Sequence, residues 1–142
     1  MWRVLCDIER YTEWAPWTLH ARRVDRPAGL GVAYEEHGRL LSPLVGPSRW
    51  RIVEFDVPRR QVHRAEAVWL AVAFDRVFEL DSDGDGGTWL TLSLRYRPSL
   101  GLAGRALDRA LARWLQAHRI ASALDGIGRL TERAPGPVAV PS

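Results

Sequence analysis

From Thr18 to Tyr96 the chain is written in short runs of alternating polarity, punctuated by glycine, proline and acidic turns; after Pro98 the apolar spacing lengthens to that of a helix. A single switch from a period of two to a period of about 3.6 restricts the fold to a series of strands followed by a helix, an α+β order. The runs predict six strands, at 18–24, 31–40, 50–56, 61–68, 71–80 and 88–97, separated by 26–29, 42–47, 57–59 and 81–87. Leu90, Leu92, Leu94 and Tyr96 share one face of the last strand, opposite Thr91, Ser93 and Arg95. Phe74, Arg76, Phe78 and Leu80 alternate in the same way with Asp75, Val77 and Glu79. One apolar and one wet face is the pattern of an antiparallel sheet that covers a core.

Helical segments flank this meander. Trp2, Leu5, Cys6 and Ile8 fall on one face of a short helix over 2–11, interrupted at 12–16. Beyond Pro98 the apolar face centres on Leu107, Leu111 and Trp114 as far as His118, whereas Ile120, Leu124 and Ile127 lie on nearly the opposite side. That shift predicts either a bend near Gly126 and Gly128 or two halves in different surroundings. The chain of 142 residues has room for one core, so a single domain is expected over 1–133, with a disordered proline-rich tail at 134–142.

Several classes are disfavoured. The longest apolar run, 65–74, is broken by Glu66, well short of the ~20 residues a membrane helix needs. Arg3, Asp7, Glu9 and Arg10 deny the N-terminal stretch the apolar core of a secretory signal, so cytoplasmic residence without stable membrane insertion is expected. Cys6 is the single cysteine, which rules out an internal disulfide and predicts a buried structural thiol. All twenty basic residues are arginine, the net charge is +3, and acids are interleaved throughout; no nucleic-acid partner is expected from such a pattern. The 81–86 segment Asp-Ser-Asp-Gly-Asp-Gly opens like a calcium loop, but Leu92 stands where the closing glutamate belongs, which predicts a hairpin turn with solvated carboxylates. His20, His37, His63 and His118 have no metal-ligand spacing and are expected at or near the surface. Neither a metal nor a cofactor is expected.

Polar residues in phase with an apolar face are the more informative, because burying one without a partner is costly. Arg76 and Tyr96 are such a pair. A turn over 82–87 opposes Leu80 to Leu90 and Arg76 to Leu94, leaving Tyr96 one diagonal step from Arg76. Together they can position a carbonyl, carboxylate or phenolate; alternatively Arg76 pairs with an acid such as Glu66. His118, near the inward stripe of the helix, is a candidate acid or base, as is Glu36, which shares a face with Tyr34. Among seven tryptophans, Trp14 and Trp114 are expected to wall a cavity and Trp89 to face solvent. Residues 68–70 either cap a pocket mouth or continue a strand.

The string 2–8 leading to Trp14, the strand opening at Gly31, the run Arg51-Ile52-Val53-Glu54-Phe55-Asp56-Val57-Pro58-Arg59-Arg60, and Phe78-Glu79-Leu80 through Gly87-Thr88 resemble, in order and spacing, the START-like superfamily. The likeness is specifically to its bacterial polyketide cyclase/dehydrase and lipid-transport group, over residues 1 to about 133. The resemblance implies a helix-grip fold: two small helices, a curling antiparallel sheet, a long terminal helix in its grip, and a cavity between them. It implies binding of a hydrophobic or aromatic small molecule, lipid- or polyketide-like; the residue pattern offers Trp14, Tyr34, Phe78, Leu92, Leu94 and Trp114 as walls and Arg76 and Tyr96 as polar contacts. An alternative is a cyclase, aromatase or dehydrase that polarises carbonyls with Arg76 and Tyr96 and moves protons with His118 or Glu36. A further alternative is a protein-interaction or chaperone-like module. The first strand of the family is not found before Trp2; an upstream start would explain this, and the exposed sheet edge would favour a homodimer.

Overall fold

The computed structural model describes residues 1–23, 26–41, 44–68, 73–97 and 102–133, with side chains at all of these except 40, 41, 44, 67, 68, 73, 74, 96, 97, 102–116 and 133. Two short helices, α1 (Trp2–Cys6) and α2 (Tyr11–Trp14), flank a 3-10 turn (Ile8–Arg10). Six strands follow: β1 (Thr18–Arg23), β2 (Ala33–Leu41), β3 (Leu44–Asp56), β4 (Arg60–Val68), β5 (Ala73–Ser82) and β6 (Thr88–Arg97). Helix α3 (Leu102–Arg133) ends the described chain. The strands pair antiparallel in sequence order, so β1 and β6 are the outermost. The sheet curls into a half-barrel, the helix-grip α+β layout expected from the sequence.

Breaks in register explain part of the curl. Shifts occur between Thr18 and His20, between Arg39 and Leu41, and twice in the β3–β4 ladder; each adds local twist and bends the strand that carries it. The β5–β6 hairpin has the predicted register, Leu80 opposite Leu90 and Arg76 opposite Leu94. Its turn closes on Asp83, whose carboxylate accepts the N–H groups of Asp85 and Gly87 at 2.9 and 2.7 Å, while Gly84 and Gly86 take positive φ. This is the hairpin turn read from 81–86.

Strand β3 starts six residues before the expected position 50, running through Pro47 opposite His37. The β4 pairing begins at Ser48 opposite Val68. Pro47 therefore lies where β3 is laddered on one side among the described pairings, and its missing N–H is tolerated. Val77, read as outward and wet, is outward but 1% exposed. It stands opposite Val62, and the pair is flanked by Arg60–Glu79 and Arg64–Asp75 ion pairs directly across the same ladder. Those arginine stems cover the valines.

Leu5, Ile8, Tyr11 and Trp14 of the helical layer meet Tyr34, Trp50, Ile52, Phe78, Leu80 and Leu92 of the concave face and Ala123 and Ile127 of α3. The predicted helix over 2–11 is broken at Asp7, so the layer arrives in three short pieces. Helix α3 runs as one helix through Gly126 and Gly128, where a bend was one of two expectations. Gly126 serves close approach: a Cβ there would stand 2.8 Å from the Trp14 Cα and 2.9 Å from its carbonyl oxygen. The proline-rich tail and the tip at Trp69 and Leu70 lie outside the described residues.

Candidate functional site

Alternation along β5 turns Arg76, Phe78 and Leu80 to the concave side, and all three are buried. The Arg76 Nη2 donates to both oxygens of Glu36, at 3.2 and 3.4 Å, and Thr18 Oγ1 donates to the same carboxylate at 2.6 Å. Aromatic rings supply the remaining walls: the guanidinium carbon is 4.4 Å from the centroid of Trp50, 5.8 Å from Trp17 and 5.9 Å from Tyr11. A cation held among ring faces and removed from water gains on the order of 2 kcal/mol from each good contact. Burial works against the charge, but the carboxylate of Glu36 opposes it, and the Arg76 pKa is held above its ordinary value. The Nε and Nη1 of Arg76 are shielded from solvent without a hydrogen-bond partner.

Beside it runs a second polar chain. His63 sits directly opposite Arg76 across the β4–β5 ladder and is completely buried. Its Nε2 meets Gln61 Oε1 at 2.9 Å and its Nδ1 meets the Tyr34 hydroxyl at 2.8 Å. An amide oxygen can only accept, so Nε2 carries the proton and Nδ1 accepts from Tyr34 O–H. Desolvation, reinforced by the charge of Arg76, drives the His63 pKa well below that of a free imidazole. Desolvation likewise raises Tyr34 and Tyr11 far above an ordinary phenol, Arg76 opposing it in both. The interior thus pairs a fixed cation with a neutral imidazole and an un-ionised phenol.

The structure gathers Trp14, Tyr34, Glu36, Arg76, Phe78 and Leu92 in this buried interior, with Trp14 edge-on to Phe78 at 6.0 Å. Leu94 is half-buried opposite Arg76. Tyr96 lies opposite Phe74 in the ladder and Trp114 lies within α3, but both side chains are outside the described set. Two expectations are corrected. His118 is exposed rather than core-facing, because α3 turns Ala123 and Ile127 inward. Glu66 is not the acid of Arg76: it points outward and pairs with Arg51 and Arg49.

Sequence reasoning missed Thr18, Tyr11, Trp17, Trp50, Gln61 and above all His63, expected near the surface. On β4 the polarity is inverted, with Gln61 and His63 inside and Val62 outside. The usable signal was Val77, an apolar outward residue on β5 that requires an apolar partner opposite. Separately, an open groove of about 700 Å³, lined in part by Met1, Trp2, Pro58 and Thr88, lies at one end of the sheet and includes none of the buried donors. Among the described residues no cluster of three or more histidines, cysteines or acids could hold a metal, and no helix is long and apolar enough to cross a membrane.

A family model described as polyketide cyclase/dehydrase and lipid transport matches residues 1–132. No curated protein matches the chain.

Proposed function

Because the chain belongs to the polyketide cyclase/dehydrase and lipid-transport family, we propose that it binds a hydrophobic or aromatic small molecule between the concave face of the sheet and α3, anchored on Arg76. The curled sheet and terminal helix fit a ligand-binding helix-grip fold. The observation that carries the reading is the state of Arg76. Glu36 takes up Nη2, leaving the single N–H of Nε and both of Nη1 unmet in a ring-lined interior. Each unmet buried donor costs about 1–3 kcal/mol. A ligand oxygen at Arg76 removes that cost, while apolar burial at ~25 cal/mol per Å² supplies the bulk of affinity.

Native mass spectrometry of protein purified from its own host tests this. A co-purifying apolar molecule, lost or weakened in Arg76→Met and in Leu94→Arg, is the expected result; ligand retention unaffected by either variant refutes the anchoring role.

A second reading, an enzyme acting on a poly-ketone, is favoured by one specific feature: the Tyr34 O–H to His63 hydrogen bond beside the Arg76 cation. In that reading Arg76 polarises a carbonyl and the phenol–imidazole pair moves a proton. Its signature is a His63→Gln variant that keeps affinity for a candidate substrate while turnover falls.

A further inference from the structure

We propose that the group presented to this site is an uncharged pure acceptor, a ketone, ester or lactone carbonyl, in preference to a carboxylate or a hydroxyl. The proposal rests on the binding reading above and specifies its ligand. Two independent features of the interior lead to it.

The first is charge balance. Arg76 and Glu36 are each about 3% exposed at the side chain and lie 3.2 Å apart, so the buried cation described at this site is already matched by a buried anion. His63, the titratable neighbour across the ladder, is held neutral by its burial. Arg119 is a further cation facing this region among the described residues. Its guanidinium lies 5.8 Å from the Trp17 centroid and donates to the Arg39 carbonyl at 2.6 Å, but the residue is half-exposed and its field is screened by water. A ligand carboxylate would be a second buried negative charge beside Glu36 without a counter-charge of its own, and the desolvation penalty of such a group is several kcal/mol.

The second is the sign of the unmet hydrogen-bonding capacity. Among the described residues, the buried side-chain atoms without a partner are Trp14 Nε1, Gln61 Nε2, Arg76 Nε and Arg76 Nη1. All four are donors. No described buried side-chain oxygen is left without a bond. They are also neighbours: Trp14 is edge-on to both Tyr11 and Phe78, Gln61 stands opposite Phe78 in the ladder, and Arg76 lies over the Tyr11 ring. An incoming carbonyl, with two lone pairs, can accept from Arg76 Nε or Nη1 without asking anything of the protein in return. An alcohol brings a proton for which no unpaired oxygen is waiting, and forfeits part of the gain.

Titration calorimetry at pH 8 with 2-tridecanone, dodecanoic acid and 1-dodecanol, which share a chain of similar length, separates the cases on the wild-type protein. The ketone is expected to bind about tenfold or more tightly than the acid, with the alcohol between them. Glu36→Gln, which removes the internal counter-charge, should narrow or reverse the ketone-over-acid preference. Equal or tighter binding of the acid overturns the charge argument while leaving the binding reading intact. An alcohol that matches the ketone overturns the acceptor argument alone. If none of the three binds, the binding reading itself falls and this proposal with it.

Discussion

Arg76 on β5 and Glu36 on β2 meet at 3.2 Å although two strands separate them in the sheet and forty residues separate them in the chain. Three strand spacings of about 4.8 Å would put their backbones roughly 14 Å apart in a flat sheet. Curling shortens that chord, and the long arginine side chain spans the remainder across the concave face. The pair is therefore a reporter of the curl as well as the polar centre of the candidate site.

Breaking this pair from one side should be costly. Arg76→Met or Glu36→Gln alone is expected to lower stability by about 3–5 kcal/mol, because the remaining polar group is left buried without its partner. The double variant Glu36→Leu/Arg76→Met should recover a large part of that loss. Urea unfolding of the four proteins measures the coupling, and strictly additive losses would show that the two groups do not act together.

Two glycines of α3, two positions apart, should respond with opposite signs. A Cβ at Gly126 would enter the Trp14 backbone, whereas one at Gly128 has nothing within 4 Å. Gly126→Ala is expected to cost about 1–3 kcal/mol, and Gly128→Ala to gain about 0.5–1 kcal/mol from helix propensity. Thermal melts of both single variants check the contrast.

The pH dependence of stability should carry the mark of His63. Its folded pKa lies well below the ordinary value of 6.5, so below that pH the unfolded chain binds a proton that the folded chain refuses. Stability from this residue is thus fully present above about pH 6.5 and falls with acidity towards the depressed folded pKa, by about 1.4 kcal/mol per pH unit. Urea midpoints between pH 7.5 and 5.5 should fall less steeply in His63→Gln than in the parent. Parallel slopes would place the imidazole in contact with water.

Cys6 should be a sluggish nucleophile. It is partly buried, and desolvation pushes its thiol pKa up to about 11. At pH 8 its thiolate fraction, and so its reaction rate with an aromatic disulfide reagent, should be roughly a hundredfold below that of a free cysteine. A rate equal to that of glutathione under the same conditions would contradict the burial.

Much of the fold was legible because the signals were local. Asp83 and its glycines close a turn whatever the rest of the chain does, and that turn fixes Leu80 opposite Leu90 and Arg76 opposite Leu94. The inward positions of Phe78 and Leu92 followed from alternation, and these two, like Trp14 and Tyr34, are buried. Local signals misled where polarity is inverted by a neighbour. His63, expected at or near the surface, is buried beside Gln61, because Val62 between them is outward where Val77 faces it. Nor did local spacing reveal that Gly126 gives room to the backbone of Trp14, more than a hundred residues away in sequence.

The sequence by itself therefore determined the order of elements, the β5–β6 register and the fact that an arginine would be buried in the sheet. Only the tertiary structure decided which acid meets it. Glu66 on the adjacent strand β4 was the nearer candidate, yet pleating turns it to the convex face towards Arg51. Glu36, separated from β5 by two intervening strands, is brought within reach by curvature, a property of the whole sheet that no single segment encodes.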